Sequence, residues 1–140
     1  MAGVTLFQVP KTFEAVYYPE AKAVVSVWES LSSPECTSAI ARGLSECKRI
    51  GARSWLVDLT HNPGVASQTD LHWMATTGVD LCKKYGVQAV INIHGESSLA
   101  SLGSKRWTKS ASDGGLVTYD TKTLADALEL AKDVAEAGAD

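Results

Sequence analysis

The chain has 140 residues and a formal net charge of −3 at pH 7, with 45% hydrophobic and 21% charged residues. This composition is typical of a globular domain and excludes a wholly disordered chain, and the length suits a single domain over 1–140. The acidic balance offers no cationic surface for nucleic acid or anionic membrane.

The N-terminal sequence MAGVTLF lacks the basic and long apolar regions of a secretory signal. No stretch approaches the roughly 20 apolar residues that span a bilayer, so membrane insertion is not expected. Cys36, Cys47 and Cys82 are widely spaced and form no CxxC pair, which disfavours a disulfide framework or a thiolate zinc site. We therefore expect a cytoplasmic protein with no metal and no cofactor.

The first elements are predicted from residue type and spacing. Residues 13–18 and 23–28 are rich in β-branched and aromatic side chains, and Pro19 favours a turn between them, so we predict a β-hairpin. The Ser-Ser-Pro-Glu run at 32–35 is typical of a helix start, and helical spacing of apolar residues continues to Gly51.

The rest of the chain alternates between apolar strand patterns and amphipathic helix patterns. In order, these are a strand over 54–60, a helix from about Ser67 to Gly86, a strand over 87–93, a short helix from Ser97 towards Trp107, a strand over 116–119 and a final helix capped by Thr121 or Thr123. This order predicts an α/β fold: a mixed sheet with an N-terminal β-hairpin, parallel strands joined by right-handed crossovers, and about four helices.

This order of elements resembles a STAS domain, the domain of anti-sigma-factor antagonists. Two segments carry the resemblance: the strand Trp55-Leu56-Val57-Asp58-Leu59-Thr60 before a helix near Ser67, and the run LVTYDTKTLADAL over 116–128. The resemblance covers about residues 12–137 and extends to divergent relatives that are compared with lipid-binding CRAL-TRIO folds. It implies a STAS-like mixed sheet and a non-catalytic binding or regulatory role.

Antagonists of this family carry an Asp-Ser-Ser/Thr-Gly run whose serine is phosphorylated at the start of the second helix. The matching position is Ser67, where Ala66 replaces the preceding Asp and Gln68-Thr69 replaces the rest. Ser67 is thus expected to be a helix N-cap or a phosphoacceptor. The expected protein-binding surface is the loop 60–69 and the following helix, with the side chains of His61, Asn62, Ser67, Thr69 and His72.

The protein partner could be a second copy of this chain, which would give a homodimer. Two other functions stay open besides protein binding. Four tryptophans are many for this length, and Trp28, His94 and Trp107 are candidates for the pocket of a small apolar-ligand or lipid carrier. Alternatively, His61 and His94 follow neighbouring strands and, with Asn62, Glu96 and Ser97, predict a hydrolase or metal site. No HExxH or Gly-x-Ser-x-Gly motif accompanies them, so we assign no catalytic or metal residue.

Overall fold

A six-stranded mixed sheet lies at the centre of the computed structural model, which describes residues 1–94 and 108–138. The strands lie side by side in chain order: β1 (Val4–Val9), β2 (Phe13–Tyr18), β3 (Ala23–Trp28), β4 (Ser54–Asp58), β5 (Ala89–Ile93) and β6 (Val117–Thr121). The first three strands pair antiparallel, and β3 to β6 pair parallel. The predicted α/β fold with an N-terminal hairpin and parallel strands is confirmed.

The helices of the described residues connect the parallel strands and close the chain. They are α1 (Cys36–Ile50), α2 (Gln68–Trp73), a π-helical turn (Met74–Gly78), α3 (Val79–Lys84), a helical stretch over 108–113 and α4 (Leu124–Ala137). Counting α2, the π-turn and α3 as one continuous helix gives four, as predicted. The short helix predicted from Ser97 towards Trp107 lies outside the described residues.

Two local features differ from the sequence-based expectation. Strand β1 was not predicted, because it is an edge strand in which Phe7 alone is buried, so its hydrophobic alternation is weak. The helix between β4 and β5 is interrupted by the π-turn, where the Thr76 hydroxyl donates to the His72 carbonyl over 2.8 Å. A side-chain hydroxyl that bonds back to the preceding turn competes with regular helical bonding.

Helices cover both faces of the sheet. On one face α1, α2 and α3 pack on a core that includes Trp28 and Trp55. A Cβ on Gly43 of α1 would lie 2.5 Å from the Trp55 ring, so glycine at this position lets α1 approach β4 closely. On the other face, α4 packs on Leu56 and Ile91. None of the helices in the described part of the chain combines the length and apolar character needed to cross a membrane.

The parallel strands end at a common level, and this aligns the loops that follow them. Asp58 at the end of β4 pairs with Ile93 at the end of β5, which in turn pairs with Thr121 of β6. Backbone bonds continue one step past the strands, from Leu59 N to Ile93 O and from His94 N to Thr121 O, both 2.9 Å. The loops after β4, β5 and β6 therefore begin at one edge of the sheet.

The three cysteines are free and buried within the helix-covered core. Burial raises the pKa of the Cys82 thiol to about 12, and burial together with the Asp70 carboxylate raises the pKa of Cys36 to about 12. Burial likewise raises the pKa of Cys47. Because the thiolate is the nucleophile, these groups are inert in the folded protein.

We predict that the native protein reacts negligibly with a thiol reagent at pH 8. A pKa of about 12 in place of 9.0 lowers the thiolate fraction of Cys36 and Cys82 about a thousandfold, and burial also blocks access. Labelling followed by mass spectrometry should show no adduct in buffer and three adducts in concentrated urea. Rapid labelling of any cysteine in buffer would contradict this packing.

Candidate functional site

The loop after β4 begins with a turn that is fixed by the last residue of the strand. Asp58 is 8% exposed, and its Oδ1 accepts from the Thr60 backbone N over 2.9 Å and from the Thr60 hydroxyl over 2.6 Å. An Asp side chain that bonds to the backbone two residues later forms an Asx turn. The turn directs the chain out of the sheet.

The middle of the loop is held against the segment that follows β3. The carbonyl of the buried Pro63 accepts from the Leu31 backbone N over 3.0 Å. On either side, Asn62 and Gly64 adopt left-handed backbone angles, with φ of 53° and 79°. Asn and Gly tolerate this conformation best, so Asn62 has a conformational role in addition to any contact with a partner.

Ser67 ends the loop and is the N-cap of α2. Its Oγ accepts from the Asp70 backbone N over 3.1 Å, and its carbonyl accepts from Leu71 N over 2.8 Å. The side chain is exposed, so capping does not bury the hydroxyl. The capping role follows from geometry, whereas the phosphoacceptor role stays a prediction.

Most side chains of this segment are exposed. The five residues predicted to contact a partner are all exposed, and Val65 between them is an exposed apolar residue at 39%. We call this set the α2 surface: His61, Asn62, Val65, Ser67, Thr69 and His72. None of these residues is a lysine, arginine, aspartate or glutamate.

A second group of polar side chains lies where β5 and β6 end. Asn92 on β5 is fully buried, and its Nδ2 donates to Thr108 Oγ1 over 2.6 Å and to Asp120 Oδ1 over 3.3 Å. His94 Nε2 is 2.7 Å from the same Asp120 oxygen. We call these four residues, Asn92, His94, Thr108 and Asp120, the β5–β6 cluster.

The imidazole of His94 is held in one tautomer by this arrangement. Because the Asp120 carboxylate is an acceptor, Nε2 must carry the hydrogen, and a neutral ring then has its lone pair on Nδ1. That nitrogen is buried and has no hydrogen-bond partner among the residues described.

The two histidines that the sequence placed at one edge follow β4 and β5, which are neighbouring strands of the sheet. His61 lies on the loop after β4, whereas His94 bonds towards β6, and no hydrogen bond or ion pair links them in the described parts of the chain. Within residues 1–94 and 108–138, no group of three or more His, Cys, Asp or Glu side chains is suited to a metal ion. Glu96 and Ser97 lie outside these ranges.

The residues of the predicted ligand pocket do not lie in one place: Trp28 packs in the core, and His94 lies at the end of a strand. Trp28 is 2% exposed and stacks on Phe13 with ring centroids 4.8 Å apart, and its Nε1 donates to Ser26 Oγ over 3.0 Å. With His61, Trp28 also borders a cleft of about 370 Å³ beside β1 and β2. His94 directly follows β5, two strands away from β3, and Trp107 lies outside the described residues.

A larger groove of about 900 Å³ lies at the opposite edge of the sheet, where the parallel strands begin. Its apolar and aromatic border includes Tyr85, Leu116, Val117, Tyr119 and Val134. Val117 and Tyr119 are 45% and 38% exposed on the edge strand β6. The sequence did not predict this groove, because its residues come from four segments that the fold alone brings together.

The β5–β6 cluster was also missed, apart from His94. Its sequence signal is an asparagine within the otherwise apolar end of a strand, Val90-Ile91-Asn92-Ile93. Buried polar side chains in such a position need hydrogen-bond partners. Finding Asp120 as that partner requires the β5–β6 register, since 28 residues separate the two in sequence.

Comparison of the chain with models of protein families, with curated proteins and with solved structures finds no match. The resemblance to STAS domains thus stays a prediction based on element order and on two segments of sequence.

We predict that Ser67→Ala lowers the free energy of unfolding by about 1 kcal/mol, because an amide at the start of α2 loses its cap. Ser67→Asp should retain most of the stability, since aspartate also caps. Thr69→Ala, an exposed change in the same turn, should alter stability by no more than about 0.5 kcal/mol. Urea unfolding measures all three, and equal losses for Ser67→Ala and Thr69→Ala would contradict the capping role.

Proposed function

We propose that this protein is a non-catalytic, STAS-like binding or regulatory module that contacts a protein partner through the α2 surface. The main support is that an exposed, uncharged surface is presented by a loop whose backbone is held at three points. These are the Asx turn at Asp58, the bond from Leu31 to Pro63, and the Ser67 cap.

A fixed backbone favours recognition because little conformational entropy is lost on binding. Loops that must become ordered in a complex reduce its affinity, whereas a loop already in its bound conformation does not. The α2 surface supplies hydroxyl, amide and imidazole groups for hydrogen bonds and one apolar side chain, Val65. Its partner should thus be recognised by hydrogen bonds and an apolar contact, with weak dependence on salt.

Ser67 offers a means of regulating such a contact. Its hydroxyl is exposed within the α2 surface, and phosphorylation would add a charge of about −1.5 to −2 to an otherwise uncharged set of side chains. The new charge would lie at the start of α2, where Asp70 N is the donor to Ser67 Oγ. Phosphorylation would therefore disfavour a partner that binds the neutral surface.

A small-molecule carrier is the second candidate, and the groove at the amino edge of the sheet favours it. A volume of about 900 Å³ lies within the range of small-molecule sites, and tyrosine and aliphatic side chains border it. This is not the Trp28, His94 and Trp107 pocket that the sequence suggested. A native mass spectrum of the protein purified from cells distinguishes a lipid-bound form from a ligand-free form.

We predict position-dependent cross-linking to a partner in cells. A photo-cross-linking amino acid at Thr69 should give one adduct of defined mass, whereas the same amino acid at Glu129, exposed on α4, should not. Val65→Asp, which adds a charge at the centre of the surface, should reduce the adduct about tenfold, equivalent to about 1.4 kcal/mol of binding energy.

The matched control for Val65→Asp is Val117→Asp, since Val117 is also an exposed valine but lies outside the α2 surface. This control should leave the Thr69 adduct unchanged. Identical adducts from positions 69 and 129, or an adduct insensitive to Val65→Asp, would rule out the α2 surface as the contact.

A further inference from the structure

The β5–β6 cluster uses every donor that the side chains of Asn92 and His94 provide. Both hydrogens of Asn92 Nδ2 have acceptors, at Thr108 Oγ1 and Asp120 Oδ1, and the single ring hydrogen of neutral His94 points to Asp120. The remaining hydrogen-bonding capacity of these side chains is accepting. The side chains of Asn92 and His94 are therefore complementary to a group that donates.

Two of the remaining acceptors are buried. Asn92 Oδ1 belongs to a fully buried side chain, and neither it nor His94 Nδ1 has a hydrogen-bond partner among the described residues. A buried acceptor that has lost water and gained no donor destabilises a protein. Such groups are rare in folded proteins and point to a ligand or to a functional role.

Charge and exposure indicate the kind of donor that fits. With His94 neutral, the cluster carries the single negative charge of Asp120, whose side chain is 60% exposed, compared with 20% for His94. The cluster thus contains an exposed carboxylate, that of Asp120, and a buried amide oxygen, Asn92 Oδ1. We propose that the β5–β6 cluster binds a small molecule through a protonated primary amine, which offers three N–H donors and one positive charge.

Other occupants fit less well. An anion would meet acceptors and a carboxylate. Among the residues that the structure describes, a metal ion would find His94 and Asp120 as its two strong ligands, short of the three that a protein site needs. The lysine on the helical stretch over 108–113 does not fill the cluster, since Lys109 Nζ lies 3.3 Å from Asp113. The proposal is independent of the α2 surface, which involves other residues.

The test is a titration of the isotope-labelled protein with methylammonium chloride, followed through the Asn92 side-chain amide and the His94 ring nitrogens by NMR. We expect saturable shifts confined to these groups and their neighbours. Tetramethylammonium chloride, which has the same charge and no N–H donor, should give no saturable shift, and potassium chloride controls for ionic strength. Saturable shifts of equal size with tetramethylammonium, or none with methylammonium, would overturn the proposal.

The variant Asp120→Asn tests the contribution of the carboxylate charge to binding, because asparagine has nearly the same shape and no charge. Its side chain is largely exposed, so the fold should persist, and the backbone spectrum confirms this. Loss of the charge-assisted bond should weaken methylammonium binding about tenfold or more. Unchanged affinity would contradict the assignment. Val65→Asp on the α2 surface should leave the titration unchanged, so failure of the protein-binding proposal is distinguishable from failure of this one.

Discussion

The parallel register of β3 to β6 is the constraint on which the rest of the structure depends. In β4 to β6 the last residue of each strand is level with the last residue of its neighbour, as Asp58 is with Ile93 and Ile93 with Thr121, and Asp58 pairs with Val27, one residue before the end of β3. A shift by one residue would turn every side chain of a strand to the opposite face. Such a shift would place Asn92 on the face that α4 covers and Ile91 on the face that α1, α2 and α3 cover.

This register also explains why two chemically different surfaces lie at the same edge. After β4 the Asx turn at Asp58 directs the chain outwards into the uncharged α2 surface. After β5 the chain stays bonded to β6 through His94 N, so the polar side chains of Asn92, His94 and Asp120 converge over the sheet. One edge thus carries both the α2 surface, for which we propose a protein partner, and the β5–β6 cluster, for which we propose an amine ligand.

Much of the fold could be predicted from the sequence because the local signals agree with it. Residues 13–28 carry strand-forming side chains around a turn, and Ser67 has the chemistry of an N-cap. Prediction failed where the determining interaction lies outside the local sequence. Strand β1 has little hydrophobic alternation, and it is defined by its pairing with β2. Likewise, Asn92 and Asp120 meet through the sheet register, which no local spacing encodes.

Native-state hydrogen exchange at Leu59 and His94 tests the register most directly. Their amides donate to Ile93 O and Thr121 O just past the strand ends, so both should exchange about as slowly as the amide of Ile91 within β5. The amide of Asn62, in the exposed loop, should exchange much faster. Exchange of Leu59 and His94 at the rate of Asn62 would show that the strands do not end at one level, and would contradict the account of both surfaces.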